Sequence, residues 1–94
     1  MLIRSFAHKG LLRLYGKGET KGIPANCADK LRKMLLLLEN IGAEAELRSL
    51  AIWKAHQLSG NRKGTWSLHV TGNWRLTFDI ENGEVCNLNL EDYH

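Results

Sequence analysis

Residues 65–90 read "TWSLHVTGNWRLTFDIENGEVCNLNL", and the period of this stretch decides the fold. Apolar and polar residues alternate, the period of a strand with one face in a core. Trp66, Leu68 and Val70 fall on one face of the first run. Trp74, Leu76, Phe78 and Ile80 fall on one face of the second, and Arg75, Thr77 and Asp79 point the other way. Asn82 and Gly83 separate the second run from "EVCNLNL". That pair predicts a tight hairpin, because a type I′ turn needs positive φ at both central positions.

Working upstream, "IWKAHQL" (52–58) also alternates and ends in the breaker "SGNRKG". It predicts a further strand, giving an antiparallel meander of about four. Before residue 50 the period is helical. Ala28, Leu31, Leu35 and Leu38 recur at helical spacing, with Met34 and Ile41 beside them. Pro24 suits a first helical turn and Gly42 a stop, so a helix is expected over about 24–41. "HKGLLRLYGKG" predicts a shorter helix ended by Gly16 or Gly18, and "KGETKG" a loop. "LIRSF" reads as a short opening strand, and "EAELRSL" as a brief helical piece. The layout is α+β, with helices packed on one face of a small sheet.

Ninety-four residues are expected to form one domain, 1–94, burying on the order of 60–65% of the unfolded surface. Cys27 and Cys86 are too few for a disulfide framework and lack metal-ligand spacing, so a reducing compartment is the default. "MLIRSFAHKG" carries Arg4 and Lys9 where a signal peptide needs an apolar run, and "MLLLL" is far short of a membrane span. The expected location is the cytoplasm, with no membrane partner. The net charge of +3 is unevenly placed: eight Lys/Arg against Glu19 and Asp29 give +6 over residues 1–33, leaving −3 beyond. A basic half can hold phosphate backbones, and the helix cations Lys30, Arg32 and Lys33 serve either RNA or a solvated face.

The polar side of the tryptophan strands carries Ser67, His69, Thr71, Arg75 and Thr77. Such a face can simply be wet. Here it coincides with His56 on the preceding run, Arg62 and Lys63 in the turn, and Asp92, Tyr93 and His94 at the end of the last one. His8 and His69 read as structural or exposed. No nucleophile elbow, phosphate-binding glycine loop or H-E-x-x-H is present, the carboxylates are not clustered at ligand spacing, and no metal or cofactor is expected. Metal-free RNA cleavage suits this inventory. A base must take the 2′-hydroxyl proton, a cation must offset phosphorane charge, and an acid must protonate the departing 5′-oxygen. Imidazole and guanidinium serve those tasks. A polar binding face offers the same residues, so spacing alone leaves both readings open.

Several stretches together resemble a known family. "IRSFAHKGL", "GIPA", "G-N-R-x-G-x-W-S", "GNWR-L-T-F" and the terminal "EDYH" resemble the HigB toxins of bacterial toxin–antitoxin pairs, within the RelE superfamily of ribosome-dependent messenger-RNA endonucleases. The resemblance covers nearly the whole chain. It implies a RelE-like fold, cleavage of message in the A site of the 70S ribosome, and a HigA-like antitoxin with a helix-turn-helix, through which alone operator DNA is bound. It places catalytic positions on His56, Asp92, Tyr93 and His94, and links Arg75 to the scissile phosphate. Asp92 or His94 is implied as the base and His56 as the acid or transition-state donor, while Tyr93 stacks on a base or donates to phosphate. The family usually reads "H-P-L-K-G", where Gln57 and Ser59 stand here for the proline and lysine. The charge of that lysine then falls to Lys54, Arg62 or Lys63. The rival class is a noncatalytic module that binds nucleic acid or an antitoxin.

Overall fold

A computed structural model describes residues 1–92, and two helices come first along the chain. Helix α1 spans Lys9–Lys17 and α2 spans Ala28–Asn40. His8 caps α1, its Nδ1 accepting the Leu11 N–H at 3.2 Å, which satisfies one of the amides a helix start leaves open. Burial and the neighbouring Arg13 lower the pKa of His8, which favours the neutral ring that capping needs. Gly18 ends the helix at φ 70°, a conformation glycine adopts without a Cβ clash, while Gly16 lies inside it.

Helix α2 starts four residues later than its sequence predicts. Pro24 sits in a preceding turn, where its carbonyl accepts the Cys27 N–H at 2.9 Å. A fixed φ near −65° suits such a turn as well as a first helical turn, so the proline signal does not separate them. Gly42 is not the stop either. Ile41 is already extended, at φ −69° and ψ 133°, and lies buried in the core.

Four strands follow: β1 (His56–Gln57), β2 (Trp66–Thr71), β3 (Trp74–Glu81) and β4 (Glu84–Asp92). They pair antiparallel in the order β1-β2-β3-β4. The expected opening strand is reduced to two parallel bridges on β4, Ile3 with Val85 and Phe6 with Leu88. "EAELRSL" forms a 3-10 turn over Glu44–Ser49. The first strand of the meander is shorter than its alternation predicts, because Ala51–Trp53 forms a second 3-10 turn and Lys54 follows at φ 52°. Leu50 and Trp53 both pack on the core, three residues apart as a 3-10 turn requires, and Ile52 is left 83% exposed.

Asn82 and Gly83 have φ of 53° and 76°, as the hairpin needs. Within β4 the alternation breaks at Asn87, with φ 57°. Thr77 pairs with Asn89 but Asp79 pairs with Cys86, so β4 holds one extra residue. The extra residue changes phase, and Val85, Leu88 and Leu90 all enter the core. Cys86 is buried on the other side, with its Sγ 3.4 Å from Glu81. Trp66, Leu68, Val70, Leu76 and Phe78 meet Leu11, Leu31, Met34, Leu38 and Leu47 in one buried cluster between helices and sheet.

Candidate active site

The core claims one face of the sheet, so the site is built on the other. Residues directly opposite in an antiparallel pair share a face. The register therefore sets His56, Ser67, Thr77 and Asn89 in one row across the four strands. His69, Arg75 and Glu91 form a second row. Asp92 is the register partner of Trp74, one step out of phase with Arg75, at the end of β4. Tyr93 and His94 lie outside the described residues.

His56 is exposed, and its Nδ1 is 2.8 Å from the Lys54 carbonyl oxygen. A carbonyl only accepts, so Nδ1 carries the hydrogen and Nε2 becomes the nitrogen that exchanges a proton. Arg75 donates to the carbonyls of Gly72 and Trp74 at 3.2 and 3.1 Å, which steadies its guanidinium near the β2–β3 turn. His69, its cross-strand partner, is partly buried, and its Nδ1 has no hydrogen-bond partner among the described residues. Burial first, then the charges of Arg75, Lys30 and Lys54, lower its pKa and keep it neutral.

The predicted RNA-binding cations are thus divided. Lys54 and Lys30 stand close enough to His69 for their charges to act on it. Arg32 instead pairs with Asp29 at 2.9 Å and reaches the Gly18 carbonyl at 3.5 Å, on the side of α2 that faces α1. Lys33 is exposed on α2, and Lys63 is exposed at the end of the 3-10 turn Gly60–Arg62. Arg62 is drawn over the polar face, both guanidinium ends meeting the Glu91 carboxylate at 2.8 and 2.5 Å.

Two features of this face were not legible beforehand. It is not wet throughout, since Ser67 and Thr77 are each only 4% exposed. Glu91, in the terminal "EDYH", accepts from Arg62 and from the Thr77 hydroxyl. The Arg62 hydrogen bonds hold its carboxyl below the usual range, against the opposing effect of burial. Gln57, where the family pattern has proline, donates to the Gly64 carbonyl at 3.1 Å and accepts from Arg48 at 3.0 Å. Arg48 in turn lies 5.3 Å from the centre of the Trp66 ring, whose Nε1 donates to Glu44 at 2.9 Å. Among the described residues, no group of three His, Cys, Asp or Glu is placed to hold a metal ion.

Solved structures that share this architecture are toxins. A YafQ mutant from E. coli matches with a TM-score of 0.59 at 20% identity, over 96% of this chain and 92% of that one. A YoeB/ParE toxin from Agrobacterium tumefaciens gives 0.55 at 14% identity, over 97% and 99%. A YoeB–YefM complex from Staphylococcus aureus gives 0.56 at 16% identity, over 100% and 99%. At such identities the likeness is one of fold, the RelE-type α+β fold of small toxins. The sequence narrows it further. Residues 4–94 match the family of RelE-like HigB toxins of type II toxin–antitoxin systems. The chain is also 44% identical over 93 residues to the Endoribonuclease HigB of Proteus vulgaris, covering 99% of this chain and all of that protein. The chain belongs to the HigB-like toxin family.

Proposed function

We propose that this chain is the toxin of a type II toxin–antitoxin pair and acts as an endoribonuclease on messenger RNA in the ribosomal A site. The observation that carries the reading is the bond between His56 Nδ1 and the Lys54 carbonyl, on the sheet face that also holds Arg75. It gives a fixed proton-exchanging nitrogen on the same sheet face as a fixed guanidinium, two strands and one row away, and these are two of the three groups that phosphodiester cleavage needs. The relative from Proteus vulgaris, named an endoribonuclease, supports the same reaction class.

The reaction needs no bound metal in this reading. A base, Asp92 or His94, takes the 2′-hydroxyl proton, and the 2′-oxygen attacks the adjacent phosphorus. Arg75 offsets charge on the phosphorane oxygens. The P–O5′ bond breaks, and His56 delivers a proton to the departing oxygen through Nε2. The products are a 2′,3′-cyclic phosphate and a 5′-hydroxyl. Tyr93 stacks on a nucleobase or donates to phosphate, while Lys54, Lys30, Arg62 and Lys63 attract the backbone.

A HigA-like antitoxin with a DNA-binding helix-turn-helix completes the pair, and operator DNA is bound through that complex. The solved complex from Staphylococcus aureus shows a fold relative with a partner of its own. The ribosomal target sets the working location in the cytoplasm. No helix among the described residues is long and apolar enough to cross a membrane.

The test is to incubate the purified chain with programmed ribosomes and map the message ends. Cleavage leaving 2′,3′-cyclic or 3′-phosphate ends is expected. Intact message would return the chain to the noncatalytic binding class.

A further inference from the structure

The polar face carries an ion pair that spans the sheet. Arg62 belongs to the loop between β1 and β2, and Glu91 lies near the end of β4, the far strand of the sheet. To meet the carboxylate, the arginine passes over β2 and β3. Thr77 on β3 donates to the same Glu91 oxygen that Arg62 Nη2 contacts. Ser67 and Thr77, register partners on the face that alternation turns outward, lie on the two strands between the ends of the pair, and both are buried.

The pair is poorly explained as a stabilising device. The Arg62 side chain is 48% exposed, and exposed ion pairs contribute little to global stability. It is well suited to positioning, because two parallel N–H···O bonds fix the plane of the guanidinium as well as its place. Two of the five guanidinium donors meet Glu91, which leaves three for a phosphate oxygen. Glu91 is also the direct partner of Arg75 and the neighbour of Asp92, so a strap anchored there ties the 60–64 loop to the end of the sheet where those residues sit.

We propose that Glu91 is a positioning residue: it draws Arg62 across the sheet and so fixes the 60–64 loop as one wall of the RNA-binding face. The proposal rests on reading that face as the ribonuclease site. Glu91 does not contact RNA in this scheme. It acts through Arg62, whose free edge meets a backbone phosphate.

The test compares wild type, Glu91→Gln, Glu91→Asp, Arg62→Ala and the Glu91→Gln/Arg62→Ala double variant. The amides of Lys63, Gly64 and Thr65 are bonded within the loop, so their hydrogen exchange reports its order. Glu91→Gln should speed that exchange about fivefold, the scale a partly exposed ion pair supports. Single-turnover cleavage on programmed ribosomes should fall about tenfold, with ribosome affinity changed less than about threefold, because misplacement acts on rate. Arg62→Ala should behave alike, and the double variant should be no worse than either single one, as coupled residues require. Glu91→Asp, which keeps the charge, should recover part of the rate. Unchanged exchange in Glu91→Gln, or losses that multiply in the double variant, would overturn the proposal. If wild type leaves the message intact, the cleavage reading fails by itself, and the exchange measurement still decides the strap.

Discussion

The Nδ1 of His56 lies 2.8 Å from the carbonyl oxygen of Lys54, two residues earlier in the same chain. The contact is local, and among the described residues no carboxylate shares in holding the ring. Glutamine at position 56 keeps a polar side chain but cannot exchange a proton. His56→Gln should therefore lower single-turnover cleavage by about 10²–10⁴-fold, the usual contribution of a positioned acid or base. Its melting temperature should stay close to wild type, because His56 is exposed on a two-residue strand. A variant that retains full rate would remove His56 from the chemistry.

Arg75 is held by backbone carbonyls at its own turn, so its guanidinium is set before RNA arrives. A donor aimed at charge that develops in the transition state acts on rate more than on affinity. Arg75→Ala should lower the cleavage rate about 10²–10³-fold, comparable with the loss of one transition-state donor elsewhere. Ribosome affinity, measured by sedimentation or filter binding, should change far less. Equal losses in both would make Arg75 a docking residue.

Much of the sheet that carries the candidate site was readable from the sequence, and the reason for the remainder is specific. The tryptophan face, the Asn82-Gly83 turn and the outward phase of Arg75 follow from period two and from turn chemistry. The cross-strand partner of Arg75 does not. The turn pairs Glu81 with Glu84, and an unbroken ladder would carry that register to Arg75 opposite Leu90. The bulge at Asn87 inserts one residue and brings Glu91 there instead. Nothing in "EVCNLNL" announces that bulge, because asparagine also occurs in ordinary strands. The reach of Arg62 to β4 is likewise invisible in sequence, since it joins residues 29 positions apart. Alternation over 52–58 places His56 on a strand, but only the family pattern gives it a catalytic role, and the strand itself is reduced to two residues.

Gln57 bridges two segments that its neighbours leave exposed, accepting from Arg48 and donating to Gly64. Gln57→Ala removes both bonds. The expected cost is small, within about 1 kcal/mol, because all three groups are solvent-facing and water replaces the lost partners. Trp66→Phe should cost more, since Trp66 is 1% exposed and its Nε1 donates to Glu44. Losing buried ring volume should cost about 1–3 kcal/mol, with little added by the lost Glu44 bond, since Glu44 is exposed and water replaces the indole. Urea melts of the two variants should rank in that order.

Acid should weaken the fold in two stages. His8 and His69 have pKa values lowered by burial, so below their ordinary value of 6.5 the unfolded chain binds protons that the folded one refuses. Stability therefore starts to fall as pH drops below about 6.5. Asp79, bonded by Thr65 and Asn87, and Glu91, bonded by Arg62 and Thr77, are held below their ordinary 3.8 and 4.5. Their contribution is complete above those values and is lost as pH falls through the lower folded-state ones. Urea melts across pH 7 to 3 should show a decline that begins below about 6.5 and continues through the carboxylate range. Glu91→Gln should remove only the Glu91 share of the later decline and leave that of Asp79. A profile flat down to pH 4 would contradict the histidine assignment.

Removing Tyr93 and His94 by a stop after Asp92 separates chemistry from folding. The core residues of β4, namely Val85, Leu88 and Leu90, all precede the cut, as does the last rung of the ladder, Asp92 opposite Trp74. The Arg62–Glu91 pair also precedes it. All the described core contacts of β4 are kept, so the truncated chain should melt within a few degrees of wild type. If Tyr93 and His94 supply an acid–base group and a phosphate or base contact, cleavage should fall by at least about 10²-fold. His94→Gln should show part of that loss and Asp92→Asn a loss of its own, and their effects need not add, because groups acting in one step are not independent. Melts and single-turnover rates on the same preparations decide the matter. Near-normal cleavage by the truncated chain would assign the proton transfers to His56 and Asp92 alone. A folded but inactive truncation would place one of them on the last two residues.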